Sequence, residues 1–441
     1  MIVDFTIKNY RSIKEPVTLS AFATNIKDHP ENIFQSKNED KIKILNTAVI
    51  YGANASGKSN IIKAFYELQG FIVLSTNLKL DEKIEYYQPF KLDKNWIDKP
   101  TEFEMEFIGE KNIRYKYLIN FNADEVLKES LTFFPKGQEA ILFLREKDEK
   151  IIFGDYFRGP ARLIEKQLLK NNLFLSKAAN SNNKLLEKIY LYFKNKINIS
   201  IPSIMEIVPS IFTTKECLKA DHFVNKDIVS QFLKVADLGI EYFDIKKSSV
   251  VDIDDFPFDM PEEIKKKIVD DIQYRPQMYH KQFDSETEIG DIAFDLGDES
   301  EGTVKFYNLA GKIIHVLHNG LVLIADELNN SLHPLLTQYL IRLFQNPKTN
   351  PNHAQLIFAT HDTTLLNSDI LRRDQIWLTE KDPFGATSLY SISDFDFRKV
   401  RANIPFDKWY LSGRFGALPI IDNLNNWFSN AQKKRKKEET T

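Results

Sequence analysis

The stretch Ala48-Val-Ile-Tyr-Gly52-Ala-Asn-Ala-Ser-Gly57-Lys58-Ser59-Asn60 reads as a buried strand, a glycine-bounded loop and a helix start. It matches G-x-x-x-x-G-K-S without a gap. Apolar residues from Ile44 to Ile50 run in, and Ile61, Ile62, Ala64 and Phe65 continue at helical spacing. Glycines at both ends let the backbone fold tightly, so that successive N–H groups and the helix N-terminus can point at phosphate oxygens. The segment Gly52, Ala53, Asn54, Ala55, Ser56, Gly57, Lys58, Ser59 and Asn60 is therefore the expected nucleotide cradle. Lys58 is expected to reach the β- and γ-phosphates and Ser59 to ligate Mg2+.

A second signal lies far along the chain, where Leu321-Val-Leu-Ile-Ala325 ends in Asp326-Glu327. A carboxylate at the end of a buried strand can hold a magnesium ion, and one beside it can polarise an attacking water. Asp326 is assigned to the metal and Glu327 to the general base, with ATP and Mg2+ as the expected ligands. Thr360-His361-Asp362 follows the next apolar strand, Gln355 to Ala359, which puts His361 at a strand's carboxyl end, where a γ-phosphate sensor is expected. Gly52 and Asp326 bracket most of the chain, so a large insertion must split the nucleotide fold.

The chain has 441 residues, 43% hydrophobic, with a formal net charge of −3. That length exceeds one ordinary core, and the charge gives no global pull toward nucleic acid or anionic lipid. The single cysteine, Cys217, excludes an intrachain disulfide and a cysteine-based zinc site and fits a reducing compartment. The histidines are scattered and give no support to a transition-metal site. No signal peptide or membrane-length apolar run is evident, so a cytoplasmic protein without membrane contact is expected.

The N-terminal segment Ile2 to Tyr10 alternates as a strand, and the P-loop helix should run to about Leu74. Thr101 to Phe107, Ile113 to Phe121, Val126 to Phe134, Ile141 to Leu144 and Ile151 to Phe153 are short strand-like runs, which predicts an antiparallel meander. Ala161 to Asn195 has a helical period. Lys226 to Leu238 and Glu262 to Asp271 read as further helices, with Asp252 to Pro261 as an acidic connector. From Asp284 to Glu301 carboxylates accumulate without Lys or Arg, the pattern of a solvated acidic loop. The expected division is an N-terminal lobe over 1–155, a mainly helical insertion over 156–283, a C-terminal α/β lobe over 284–429 and a basic tail over 430–441.

The split P-loop, the Asp-Glu pair, Ser331-Leu-His333-Pro334 and the strand-end Thr360-His361 resemble the ABC-type ATPases of the structural-maintenance-of-chromosomes and RecF group. The resemblance implies an α/β fold, an ABC-type P-loop ATPase head with an antiparallel β-rich N-terminal lobe and a helical insertion. It also implies that Ser300 and Gly302, in Glu299-Ser-Glu-Gly-Thr303, form a signature that contacts nucleotide bound to a second copy, giving a homo-oligomer of ATP-sandwiched heads. On residues alone, the same segment is a helix N-cap with an acidic first turn.

Ala48 to Ser59, Tyr87-Gln-Pro-Phe90, Asn172 to Ala179, Ser300 to Thr303 and Tyr410-Leu-Ser-Gly-Arg-Phe-Gly-Ala417 are more closely similar to AAA15-type ATPases of bacterial anti-phage defence and abortive infection, the RloA, AbiLi and AriA groups among them. That similarity implies a sensor or switch subunit, triggered by a phage protein and controlling a separate Toprim-like effector. It makes Gln88 a match to the glutamine loop, whereas Asn329 stands where aspartate is frequent and receives no catalytic role. Two rivals remain: a repair ATPase acting directly on DNA, and a self-contained nuclease of the overcoming-lysogenization-defect type. The second needs an added Toprim domain, yet fewer than about a hundred residues follow His361, near the lower bound for one.

Overall fold

Every residue of the strand Thr47–Gly52 is buried, as a strand covered on both faces requires. It pairs in parallel with Gln355–Ala359 on one side and with Ile376–Lys381 on the other. Outward from Gln355–Ala359 lie Val322–Ala325 and then Ile197–Ser200, both parallel; beyond Ile376–Lys381 lies Thr387–Ser391, antiparallel. The result is a six-stranded, mostly parallel sheet. The computed structural model describes residues 1–36, 42–135, 137–201, 211–220, 222–247, 273–395 and 405–419. The readings of Asp252 to Pro261, of Glu262 to Asp271 and of the basic tail lie outside them.

Alternate residues of the central strands enter two different cores. Ala48, Ile50, Ile324, Ile357 and Ala359 face the P-loop helix, Lys58–Leu74, while Val49, Tyr51, Leu323, Leu356 and Phe358 face the helices Glu301–Asn319 and Pro334–Gln345. The opposite side of the P-loop helix packs on a seven-stranded antiparallel sheet. That sheet contains the expected meander together with Ile2–Lys8 and Val17–Ser20. Aromatic contacts join the layers, with Phe5 and Phe65 ring centroids 4.1 Å apart and Phe71 and Phe121 5.0 Å apart.

Gln355, fully buried, ties the two sheets together. Its Oε1 accepts from Ile2 N at 2.8 Å, and its Nε2 donates to Ile2 O at 2.9 Å and to Leu45 O at 3.1 Å, much as a strand partner would.

Two stretches differ from the sequence reading. Ile197–Ser200, inside the region read as mainly helical, is the edge strand of the central sheet. Only four residues long and half-polar, it lacks the apolar run that marks its neighbours. The acidic run after Asp284 is not a loop. Thr287–Asp295 forms a hairpin with Tyr274–Asp284, completed into a three-stranded sheet by Tyr242–Lys247. Its carboxylates are met by residues earlier in the chain: Lys281 Nζ donates to Glu288 at 2.8 Å, Gln277 Nε2 to Asp295 at 3.0 Å, and the His280 ring lies 2.7 Å from Glu299. Counting charges within the run alone hid these partners.

A buried clamp holds the segment after Phe22. Arg372, 1% exposed, donates to both oxygens of Asp374 at 2.9 and 2.7 Å and to the carbonyls of Thr24, Ile26 and Asp28. Thr24 N and Oγ1 bond Asp374 in return. Removing one member strands a buried charge, so Arg372→Leu should cost about 3–5 kcal/mol of unfolding free energy. Urea titration measures it, and a loss below about 1 kcal/mol would show the clamp to be dispensable.

Candidate functional site

The P-loop turns at Gly52 and Gly57, and neither position admits a side chain. A Cβ on Gly57 (φ 115°) would lie 2.3 Å from Thr387 Oγ1, and one on Gly52 would lie 2.4 Å from Thr379 Oγ1. Between them Ala55 is left-handed (φ 63°), and Ser56 N closes a turn on Ala53 O at 3.1 Å. The loop is bolted to the two strands beyond its own: Ser56 Oγ lies 2.6 Å from Thr379 Oγ1 on the adjacent strand, and Thr387 Oγ1 on the edge strand donates to Ser56 O at 2.8 Å. Ser12 completes the frame, with Asn60 Nδ2 donating to its hydroxyl at 2.7 Å and Thr387 Oγ1 2.8 Å from it. Ser12, Thr379 and Thr387 were missed by sequence reading, because isolated hydroxyl residues carry no spacing signal.

Lys58 lies across the loop and donates to Gly52 O at 2.8 Å and to Ala53 O at 3.0 Å. Burial lowers its pKa, opposed by the charges of Asp326 and Glu327. Those two carboxylates arrive from the strand Val322–Ala325, separated from the P-loop strand by one intervening strand. Asp326 is buried, its N–H donates to Ser200 O at 2.9 Å, and its carboxylate faces the Ser59 hydroxyl. Burial raises its pKa, the Ser59 hydroxyl lowers it and the neighbouring Glu327 raises it again.

One oxygen, Asp326 Oδ1, is buried without a hydrogen-bond partner. A buried orphan acceptor beside a serine hydroxyl at a helix start suits a hard cation with oxygen ligands, so these residues fit Mg2+. Glu327 is left-handed (φ 51°) and partly exposed, so the chain bends as it leaves the strand.

His361 is exposed just past the strand that separates Asp326 from the P-loop. Its segment is pinned by Thr360, whose N–H donates to Ile50 O at 3.0 Å and whose hydroxyl donates to Asn329 Oδ1 at 2.7 Å. Asn329, given no role from sequence, thus links the two strand ends.

Ser300 and Gly302 are not brought to their own loop. Ser300 caps the helix Glu301–Asn319, accepting from Thr303 N at 3.2 Å, and Gly302 lies where a Cβ would come 2.9 Å from Ser331 O. Among the described residues no hydrogen bond joins either to residues 52–60.

The Gln88 side chain donates to Glu67 Oε1 at 3.3 Å, and Glu67 stands about 12 Å along the helix from Ser59. Its carbonyl accepts from Arg11 N at 2.7 Å, beside Ser12. The sequence Tyr-Gln-Pro gave no sign of the competing carboxylate on the helix.

Because Thr387 holds Ser56, Thr387→Val should loosen the cradle and weaken nucleotide binding about tenfold, the equivalent of ~1.4 kcal/mol. Equilibrium titration with a fluorescent ATP analogue measures it. Unchanged affinity would remove the strut from the site.

No helix of the described residues is long and apolar enough to cross a membrane. No curated protein matches the chain. Among solved structures it is similar to "SMC head domain from Thermotoga maritima", 12% identical over 88% of this chain and 98% of that one with a TM-score of 0.39. It is also similar to "Crystal structure of the SmcHead bound to the C-winged helix domain of ScpA", 13% identical over 90% and 98% with a TM-score of 0.41. A third is "Structure of the recombination mediator protein RecF-ATPrS in RecFOR pathway", 13% identical over 88% and 98% with a TM-score of 0.34. The family model described as "AAA domain, putative AbiEii toxin, Type IV TA system" matches residues 48–200 and 227–367, more than half of the chain, which belongs to that family.

Proposed function

We propose that the chain is an ATP-hydrolysing switch in which two heads close on two nucleotides, working in anti-phage defence through a separate Toprim-like effector. The observation that carries the ATPase reading is the buried, unpartnered Oδ1 of Asp326 beside Ser59, at the mouth of the Lys58 loop. The defence setting draws support from the family description, which names a toxin of an abortive-infection and toxin-antitoxin type.

In this reading the N–H groups of residues 52–60 and the N-terminus of the helix from Lys58 bind the phosphates. Lys58 exchanges its two carbonyl partners for phosphate oxygens, which repay its burial. Ser59 and Asp326 would hold Mg2+, which when bound would neutralise phosphate charge. Glu327 accepts a proton from the attacking water, and His361 senses the γ-phosphate from the adjacent strand. Ser300 and Gly302 sit at a helix N-terminus suited to the γ-phosphate held by a second copy, with the helix dipole favouring that charge. Gln88 would join the site only by leaving Glu67. A phage protein that binds one head arrangement better would then shift the population and retain or free the effector.

Glu327→Gln should bind ATP and accumulate paired heads with Mg2+, while turnover falls on the order of a hundredfold or more. Lys58→Ala should neither bind nor pair. Turnover assays and mass photometry read both. Hydrolysis at the parent rate by Glu327→Gln would sink the base assignment, and ATP-independent pairing would sink the switch.

A further inference from the structure

Two histidines that stand far apart in sequence, His222 and His315, meet in space. We propose that Glu216, His222 and His315 form a transition-metal site, suited to Zn2+, that clamps the helix Ile211–Leu218 to the helix that begins at Ser300. Each residue offers one ligand atom, and these atoms lie within 4.8 Å of one another. Glu216 is 6% exposed, yet its Oε2 makes no hydrogen bond, and neither does the buried Nδ1 of His222 that faces it at 3.2 Å. Lys219 pairs with the other oxygen of Glu216, leaving Oε2 turned to the histidines. The rings of His222 and His315 are stacked at 6.2 Å.

The scaffold beneath this group is unusually close. One turn before His315, the helix carries Gly311, where a Cβ would come 2.7 Å from Thr213 Oγ1; one turn before Glu216 stands Thr213 itself. Thr213 Oγ1 donates to Tyr307 O at 3.0 Å and accepts from Gly311 N at 3.3 Å, so the helices are locked at the crossing that presents Glu216 and His315 to each other. Asn319 Nδ2 lies 3.4 Å from His315 Nδ1, and Phe212 packs on the same ring.

Two imidazoles and a carboxylate suit zinc and its neighbours rather than magnesium or calcium, which prefer oxygen. Zinc bonds of about 2.0–2.2 Å need the three ligand atoms to draw in by roughly 1 Å, which side-chain rotation can supply, with water as a fourth ligand. Lys219 opposes a bound cation, but its ammonium is half exposed on a flexible stem and can swing away. The helix from Glu301 to Asn319 is about 28 Å long and His315 lies near its C-terminal end, so the ion braces this helix at the end opposite Ser300. This assignment does not depend on the nucleotide reading.

The test is a Co2+ titration of the chelator-treated full chain without nucleotide, followed by its visible spectrum and then by competition with Zn2+. One equivalent should bind with nitrogen-ligand d–d bands and be displaced by Zn2+. His222→Ala and His315→Ala should each lose at least tenfold in affinity, while Lys219→Met should bind several-fold tighter. If the cluster is only an ion pair, the parent binds no stoichiometric Co2+, or the His222→Ala, His315→Ala double variant binds it as well as the parent; either result overturns the proposal. The parent titration decides the matter even if a variant fails to fold.

Discussion

A carboxylate and a phosphate-binding loop can act on one nucleotide only if something rigid holds them a fixed distance apart, and here that spacer is the single strand Gln355–Ala359. It pairs in parallel with both motif strands, so their carboxyl ends emerge at the same edge of the sheet, one strand apart, although Gly52 and Asp326 lie far apart in the chain. Because both faces of the sheet are buried, register slippage by one residue would exchange the contents of the two cores. Gln355, at the start of the same strand, also fastens the antiparallel sheet through Ile2. The spacer is thus the point at which the two layers and the two motifs meet.

What was legible in the sequence follows the strength of local signals. The P-loop strand, its helix ending at Leu74, the meander and the Asp326-Glu327 strand each carry an unbroken run or a clear period, and each appears where expected. Ile197–Ser200 was not legible, because an edge strand needs only one covered partner and few apolar residues. The acidic run hid its hairpin because the residues that meet its carboxylates, Lys281 and His280, precede it. Thr379 and Thr387 could not be recognised, since a hydroxyl that supports a loop from another strand has no motif.

The same limit applies to the pair His222 and His315, whose approach depends on the Thr213 and Gly311 crossing rather than on any spacing. Ser300 was readable as a helix cap and is one. Gln88 shows the reverse case, where a motif-like residue is engaged by Glu67.

The most direct test of the account is the Mg2+ dependence of ATP affinity in the parent and in Asp326→Asn. If the strand Val322–Ala325, held in place by the spacer, delivers Asp326 to the ion, the parent binds ATP more tightly with Mg2+ than without, and the variant loses that increment. Its Mg2+-free affinity should equal or exceed the parent's, since a negative charge near the phosphates is gone. An undiminished Mg2+ increment in Asp326→Asn would place the ion elsewhere and contradict the shared site.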